Sequence, residues 1–147
     1  MIARSTVQRR HDFQRQLAEG RDLWLASASL AGDPYLVPLS FAWDGAGIVM
    51  ATPASSPTGR NILENPKSRL AIGTTRDVNI VEGELDMWLA HVVPESVADA
   101  FTTKLTWDPR TERRVHLYVR VRPTCIQVWR EADEIAGREV LRGGCWP

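Results

Sequence analysis

The stretch GIVMATPASSPTGRNILENPKSRLAI, residues 47–72, packs strand, loop, helix and strand into one short span. An apolar run from Gly47 to Thr52 meets a loop of small and hydroxyl residues. Ser56 followed by Pro57 is a helix start: the serine oxygen accepts from an unpaired N–H of the first turn, and proline suits the first helical position. Asn65-Pro66 ends the helix, and Ser68 to Thr75 reads as the next strand. The loop also suits an anion. The first N–H groups of a helix lack internal partners and carry partial positive charge. Ser55, Ser56 and Thr58 add hydroxyls, Gly59 allows close backbone approach, Arg60 adds a guanidinium fork and Asn61 an amide. On residue types alone, plain capping and anion binding both stand.

Working outward, Thr6 to Glu19 reads as a helix with Val7, Phe13 and Leu17 on one face and Gly20 as its stop. Residues 22–30 read as a strand, AGDP (31–34) as a turn, and YLVPLSFAW (35–43) as a second strand with an edge or bulge at Pro38. DGAG (44–47) closes a hairpin into the strand of the opening stretch. Downstream, residues 77–91 form a long strand whose apolar face switches around Gly83, which predicts a bulge. Residues 94–105 form a helix on Val97, Phe101 and Leu105. In RRVHLYVRVRP (113–123), Val115, Leu117, Val119 and Val121 alternate with His116, Tyr118, Arg120 and Arg122. Pro123 is expected to break this strand, and 124–131 to form the last one.

No repeat or linker interrupts residues 1–147, which read as a single domain. The pattern predicts a mainly β fold with short helices: a six- to seven-stranded antiparallel barrel, closed or half-open. Large apolar and aromatic residues on both strand faces predict a homodimer.

Lys plus Arg equals Asp plus Glu at 18 each, which gives no support to nucleic-acid binding. No apolar run is long enough to cross a bilayer, and Met1 to Arg15 lacks a signal-peptide core, so a cytoplasmic protein is expected. Cys125 and Cys145 have neither framework nor metal-ligand spacing and are expected as free thiols. His11, His91 and His116 are scattered, and no metal site is expected. His91 and His116 read as structural or surface residues. The chain holds six tryptophans; Trp88 and Trp129 either wall a pocket for a planar molecule or pack in the core.

Residues 23–72 combine a strand ending in small residues, a G-x-P turn, a strand with Pro then aromatics, an Asp-Gly hairpin, a strand ending in Thr, a hydroxyl-rich loop, Arg60-Asn61 before apolar residues, and Asn65-Pro66. In that order they resemble the pyridoxamine 5′-phosphate oxidase-like superfamily of flavin- and deazaflavin-binding split β-barrels. The tail from Val121 to Trp146 is similar to small actinobacterial-type members. The resemblance implies a homodimer with two cofactors in clefts between subunits. It implies that the opening loop holds the cofactor phosphate, through Thr52, Ser56, Thr58, Arg60 and Asn61, and that Pro38, Leu39 and Ser40 pass the flavin ring. Many members carry Lys where this chain has Thr58, and others carry basic residues along the second strand, where LVPLSFA (36–42) has none. The implied function is an oxidoreductase that moves a hydride between FMN, or the deazaflavin coenzyme F420, and a small organic substrate. The alternative is a non-catalytic protein that stores, carries or senses a flavin, haem or related planar cofactor; a further one is a dimeric scaffold without ligand.

Overall fold

The computed structural model describes residues 2–144. Its strands form one antiparallel sheet in the order β2-β1-β5-β6-β7-β4-β3, with β8 beside β7. The strands are β1 (Asp22–Ala28), β2 (Pro34–Ser40), β3 (Ala42–Trp43), β4 (Ile48–Pro53), β5 (Arg69–Thr74), β6 (Asp77–Leu89), β7 (His116–Trp129) and β8 (Glu139–Leu141). β2 and β3 are one run of chain interrupted only at Phe41, yet they lie at opposite ends of that order. The sheet therefore curls until a single strand bridges its two edges, pairing with β1 through its first half and with β4 through its second. Phe41 is fully buried at the switch, and its N–H donates to the Arg21 carbonyl at 2.9 Å. This is the split barrel expected from the sequence, its second strand divided in two and the short β8 added.

A helix plugs each end. Phe13 and Leu17 of α1 (Thr6–Glu19) join the barrel core near the 44–47 hairpin, and Ile62 of α2 (Pro57–Glu64) joins it from the other end of β4. α3 (Glu95–Leu105) lies outside, where Val97 and Phe101 cover Ala42, Val49, Ala51 and Tyr118. Its Lys104 ammonium donates to the Leu17 carbonyl at 3.2 Å and sits 4.2 Å from the Phe41 ring centroid.

Four expectations are corrected. Pro123 does not break the strand, and β7 runs straight through it. The partner strand absorbs the irregularity: the register shifts between Glu82 and Gly83, and a side chain on Gly83 would collide with the Arg122 carbonyl. His116 is buried and Val115 is 57% exposed, opposite to the alternation, because α3 and the loop after it cover the outer face at the start of β7. Part of the surplus apolar surface is thus covered by the chain's own helix. On α1, Val7 is exposed and Arg9 is buried with Phe13 and Leu17. Arg9 donates to the carbonyls of Val128 and Glu134, both at 3.3 Å. Beside it Arg4 pairs with Glu134 at 3.1 Å and Asp12 at 2.9 Å, and Glu134 is only 4% exposed. Cys125 is a free, half-buried thiol whose pKa burial pushes up; Cys145 and Trp146 lie outside the described residues.

Candidate functional site

The loop between β4 and α2 is tightly built. Ser56 caps the helix by accepting from the Gly59 N–H at 3.0 Å, with Pro57 at the first helical position. The Thr52 hydroxyl lies 3.0 Å from the Ser56 hydroxyl. The Ser56 N–H donates to the Pro53 carbonyl and the Ala54 N–H to the Val115 carbonyl. The capping reading is realised, and it occupies part of the donor set. Gly59 is needed for packing: a Cβ there would lie 2.6 Å from each of the Pro53 and Ala54 carbonyl oxygens.

The side chains divide by helix face. Thr58 and Thr52 are both buried, at 2% and 6% exposure, and Thr58 stands one helical turn before the buried Ile62. Asn61 donates to the Ser27 hydroxyl at 3.2 Å, which ties α2 to β1. Arg60 is exposed, and among the described residues no carboxylate pairs with it. A second exposed arginine, Arg114, reaches the loop from the segment before β7 and donates to the Ser55 hydroxyl at 3.4 Å. A guanidinium on a hydroxyl of this loop, with a second exposed arginine on the helix that follows, suits a phosphate group, which takes charge-assisted bonds from arginine forks.

Pro38, Leu39 and Ser40 stand on β2, which hydrogen-bonds to β1 along one side. Leu39 packs on the core, while Pro38 is exposed. The Ser40 hydroxyl donates to Asp22 at 2.7 Å. Pro38 pairs with Trp24, and together with Asp22, Ala71 and Gly73 they line a shallow groove of about 320 Å³. Trp24 is 49% exposed and forms one wall. The two tryptophans singled out in the sequence do not meet. Trp88 pairs with Tyr118 and Trp129 with Val78, roughly 30 Å apart along β6 at about 3.3 Å per residue. Trp88 lies under the Arg120 guanidinium at 5.1 Å and packs against the α3 cluster; Trp129 lies under Arg138 at 5.8 Å. They do not wall one pocket.

Around Trp88 the charges are satisfied. Arg120 bridges Asp44 at 3.0 Å and Asp86 at 2.9 Å, and Arg122 also holds Asp86. Burial would raise the Asp44 pKa, but the N–H groups of Ala46 and Gly47 and the Arg120 guanidinium outweigh it and hold the carboxyl below its usual range. Tyr118, beneath α3, is pushed up to about 12 by burial, chiefly. A mostly apolar cavity of about 460 Å³ opens at the α1 end, between Phe13, Leu17, Trp43, Pro123 and Leu141. Among the described residues no cluster of His, Cys, Asp and Glu could hold a metal ion, and no helix is long and apolar enough to cross a membrane.

Sequence reasoning missed Arg114 and Trp24. The signal for Trp24 was its place opposite Pro38 across the AGDP hairpin. The signal for Arg114 is the register of β4 on β7, which pairs Pro53 with His116.

A split barrel with a capped, cation-flanked loop after its fourth strand defines the class. Within that class, residues 10–125 match the family model described as pyridoxamine 5′-phosphate oxidase, and the chain belongs to this family. No curated protein matches it. Among solved structures it is similar to an F420 reductase, with 23% identity over 77% of this chain and 94% of that one and a TM-score of 0.60. It is also similar to HutZ, the haem storage protein from Vibrio cholerae, with 12% identity over 91% and 96% and a TM-score of 0.67. A haem-binding protein from Mycobacterium smegmatis matches at 16% identity over 98% of this chain and 60% of that one, with a TM-score of 0.65. At these identities the likenesses show the fold. The structures that share it include a cofactor reductase and haem-binding proteins.

Proposed function

We propose that the chain binds a phosphorylated flavin-type cofactor, FMN or coenzyme F420, and serves as an oxidoreductase acting on a small organic substrate. The observation that carries this reading is the α2 loop itself, with Arg114 on the Ser55 hydroxyl and Arg60 exposed and unpaired with any carboxylate among the described residues, in a chain whose family match spans this loop. When bound, the flavin-type ring supplies the hydride chemistry. The protein's part is to hold the phosphate at the α2 loop, with Arg60 as one arm and Ser56 and Thr52 keeping the loop in shape. β2 offers the backbone of Leu39 and Ser40 to the ring, and Pro38 and Trp24 form an apolar wall beside it.

A second copy of the chain completes the cleft in this reading. Trp24 and Leu36 are 49% and 60% exposed on the outer faces of β1 and β2, and a stable homodimer would bury at least about 2,000 Å² in total. Light scattering at micromolar concentration should return twice the monomer mass; a monomer would remove the shared cleft.

Haem carriage is the second reading. It is favoured by the breadth of the likeness to the haem proteins, which covers 91% and 98% of this chain against 77% for the F420 reductase. The absorbance spectrum of purified protein, followed by titration with FMN, F420 and haem, separates the two. Sub-micromolar FMN or F420 binding with reducible absorbance supports the oxidoreductase; haem binding alone supports the carrier.

A further inference from the structure

Residue 58 supplies no second charge to a phosphate, because in this chain it is a threonine. A phosphate monoester carries up to about two negative charges near neutral pH, and one guanidinium leaves part of that uncompensated. The structure brings a second guanidinium to the place by backbone register. β4 pairs with β7 antiparallel, ending with Pro53 opposite His116. The ladder continues beyond the strands, since the Ala54 N–H donates to the Val115 carbonyl at 2.9 Å. One step further sets Arg114 opposite Ser55, and its guanidinium reaches that hydroxyl at 3.4 Å. Arg114 is exposed and, among the described residues, pairs with no carboxylate, so its charge is not consumed inside the protein.

We propose that Arg114 is the second cationic arm of the phosphate cradle, working with Arg60 of α2 and held at the Ser55 hydroxyl, which it touches and would share with a bound phosphate. The inference rests on the flavin-type reading above. It assigns to the segment before β7 a charge that the threonine at position 58 does not carry. Because the arm is fixed by the β4–β7 ladder and not by α2, a phosphate held by both arginines would be gripped from two separate elements.

The test is a set of binding isotherms by fluorescence quenching or calorimetry on the full chain. FMN is compared with riboflavin, and F420 with its phosphate-free deazaflavin chromophore, for wild type, Arg114→Gln, Arg114→Lys and Arg113→Ala. Arg114→Gln should weaken the phosphorylated ligand by roughly tenfold, the scale of one charge-assisted hydrogen bond, while the phosphate-free ligand changes by less than about twofold. Arg114→Lys should restore part of the loss, and Arg113→Ala should match wild type. Raising salt should narrow the gap between wild type and Arg114→Gln. If wild type prefers the phosphorylated ligand and Arg114→Gln keeps that preference in full, the proposal is overturned while the flavin-type reading survives. If wild type shows no preference within either pair, both fall together.

Discussion

The two plugged ends of the barrel treat charge in opposite ways. At the α1 end, Arg4 and Arg9 are 8% and 6% exposed and are bound to Glu134, Asp12 and backbone carbonyls. At the α2 end, Arg60 and Arg114 are exposed and without a carboxylate among the described residues. Ion pairs of the first kind hold a fold together and leave nothing for a ligand. Cations of the second kind add little to the fold and stay available to an anion. The difference separates the arginines that close the structure from those that would do the binding, although the sequence presents all of them as the same residue type.

The comparison breaks first at Glu134. Glu134→Ala strands two buried guanidinium groups, and removing one member of such a group costs about 3–5 kcal/mol. Urea unfolding should show that loss, while titration with FMN should be unaffected in the remaining folded protein. Next, Thr58→Lys tests whether the inward face of α2 is closed. An ammonium forced beside Ile62 should destabilise by about 2–3 kcal/mol and leave the preference for phosphorylated ligand unimproved. A tighter phosphorylated ligand with an unchanged melting curve would show that position 58 faces the site after all.

Arg60→Ala should act in the reverse sense. It should weaken FMN or F420 by roughly ten- to a hundredfold, leave riboflavin nearly unchanged, and shift the melting temperature little. Unchanged affinity in calorimetry would reduce the loop to a helix cap. The smallest expected effect is Ser56→Ala. Losing the bond from the Gly59 N–H should cost about 1 kcal/mol of stability and loosen the loop that carries Ser55.

What could be read beforehand follows from how local each signal is. The Ser56-Pro57 start of α2, the bulge at Gly83 and the Gly20 stop of α1 were legible because each is written within a few residues. The inward face of Thr58 was available too, from its spacing of one helical turn from Ile62. Arg9 was not legible as a buried residue, because the groups that satisfy it, the Val128 and Glu134 carbonyls, lie at the far end of the chain. Arg114 escaped for the same reason, since only the pairing of β4 with β7 brings it to Ser55. The burial of His116 was not legible because alternation shows which residues share a side and not what covers that side. Here α3 covers the side that strand chemistry alone would leave wet.

The pairing of β4 with β7 has a consequence for the order in which the molecule can be made. β4 is apolar from Ile48 to Ala51 and buried on both faces in the finished barrel. During synthesis it emerges long before the strand that lies along it. Only the two-residue β3 pairs with its other edge in the interval. An unpaired apolar strand of this kind is a site for misassociation between nascent chains. A chain that ends before His116 therefore leaves its most apolar strand without the long partner that covers it in the finished barrel.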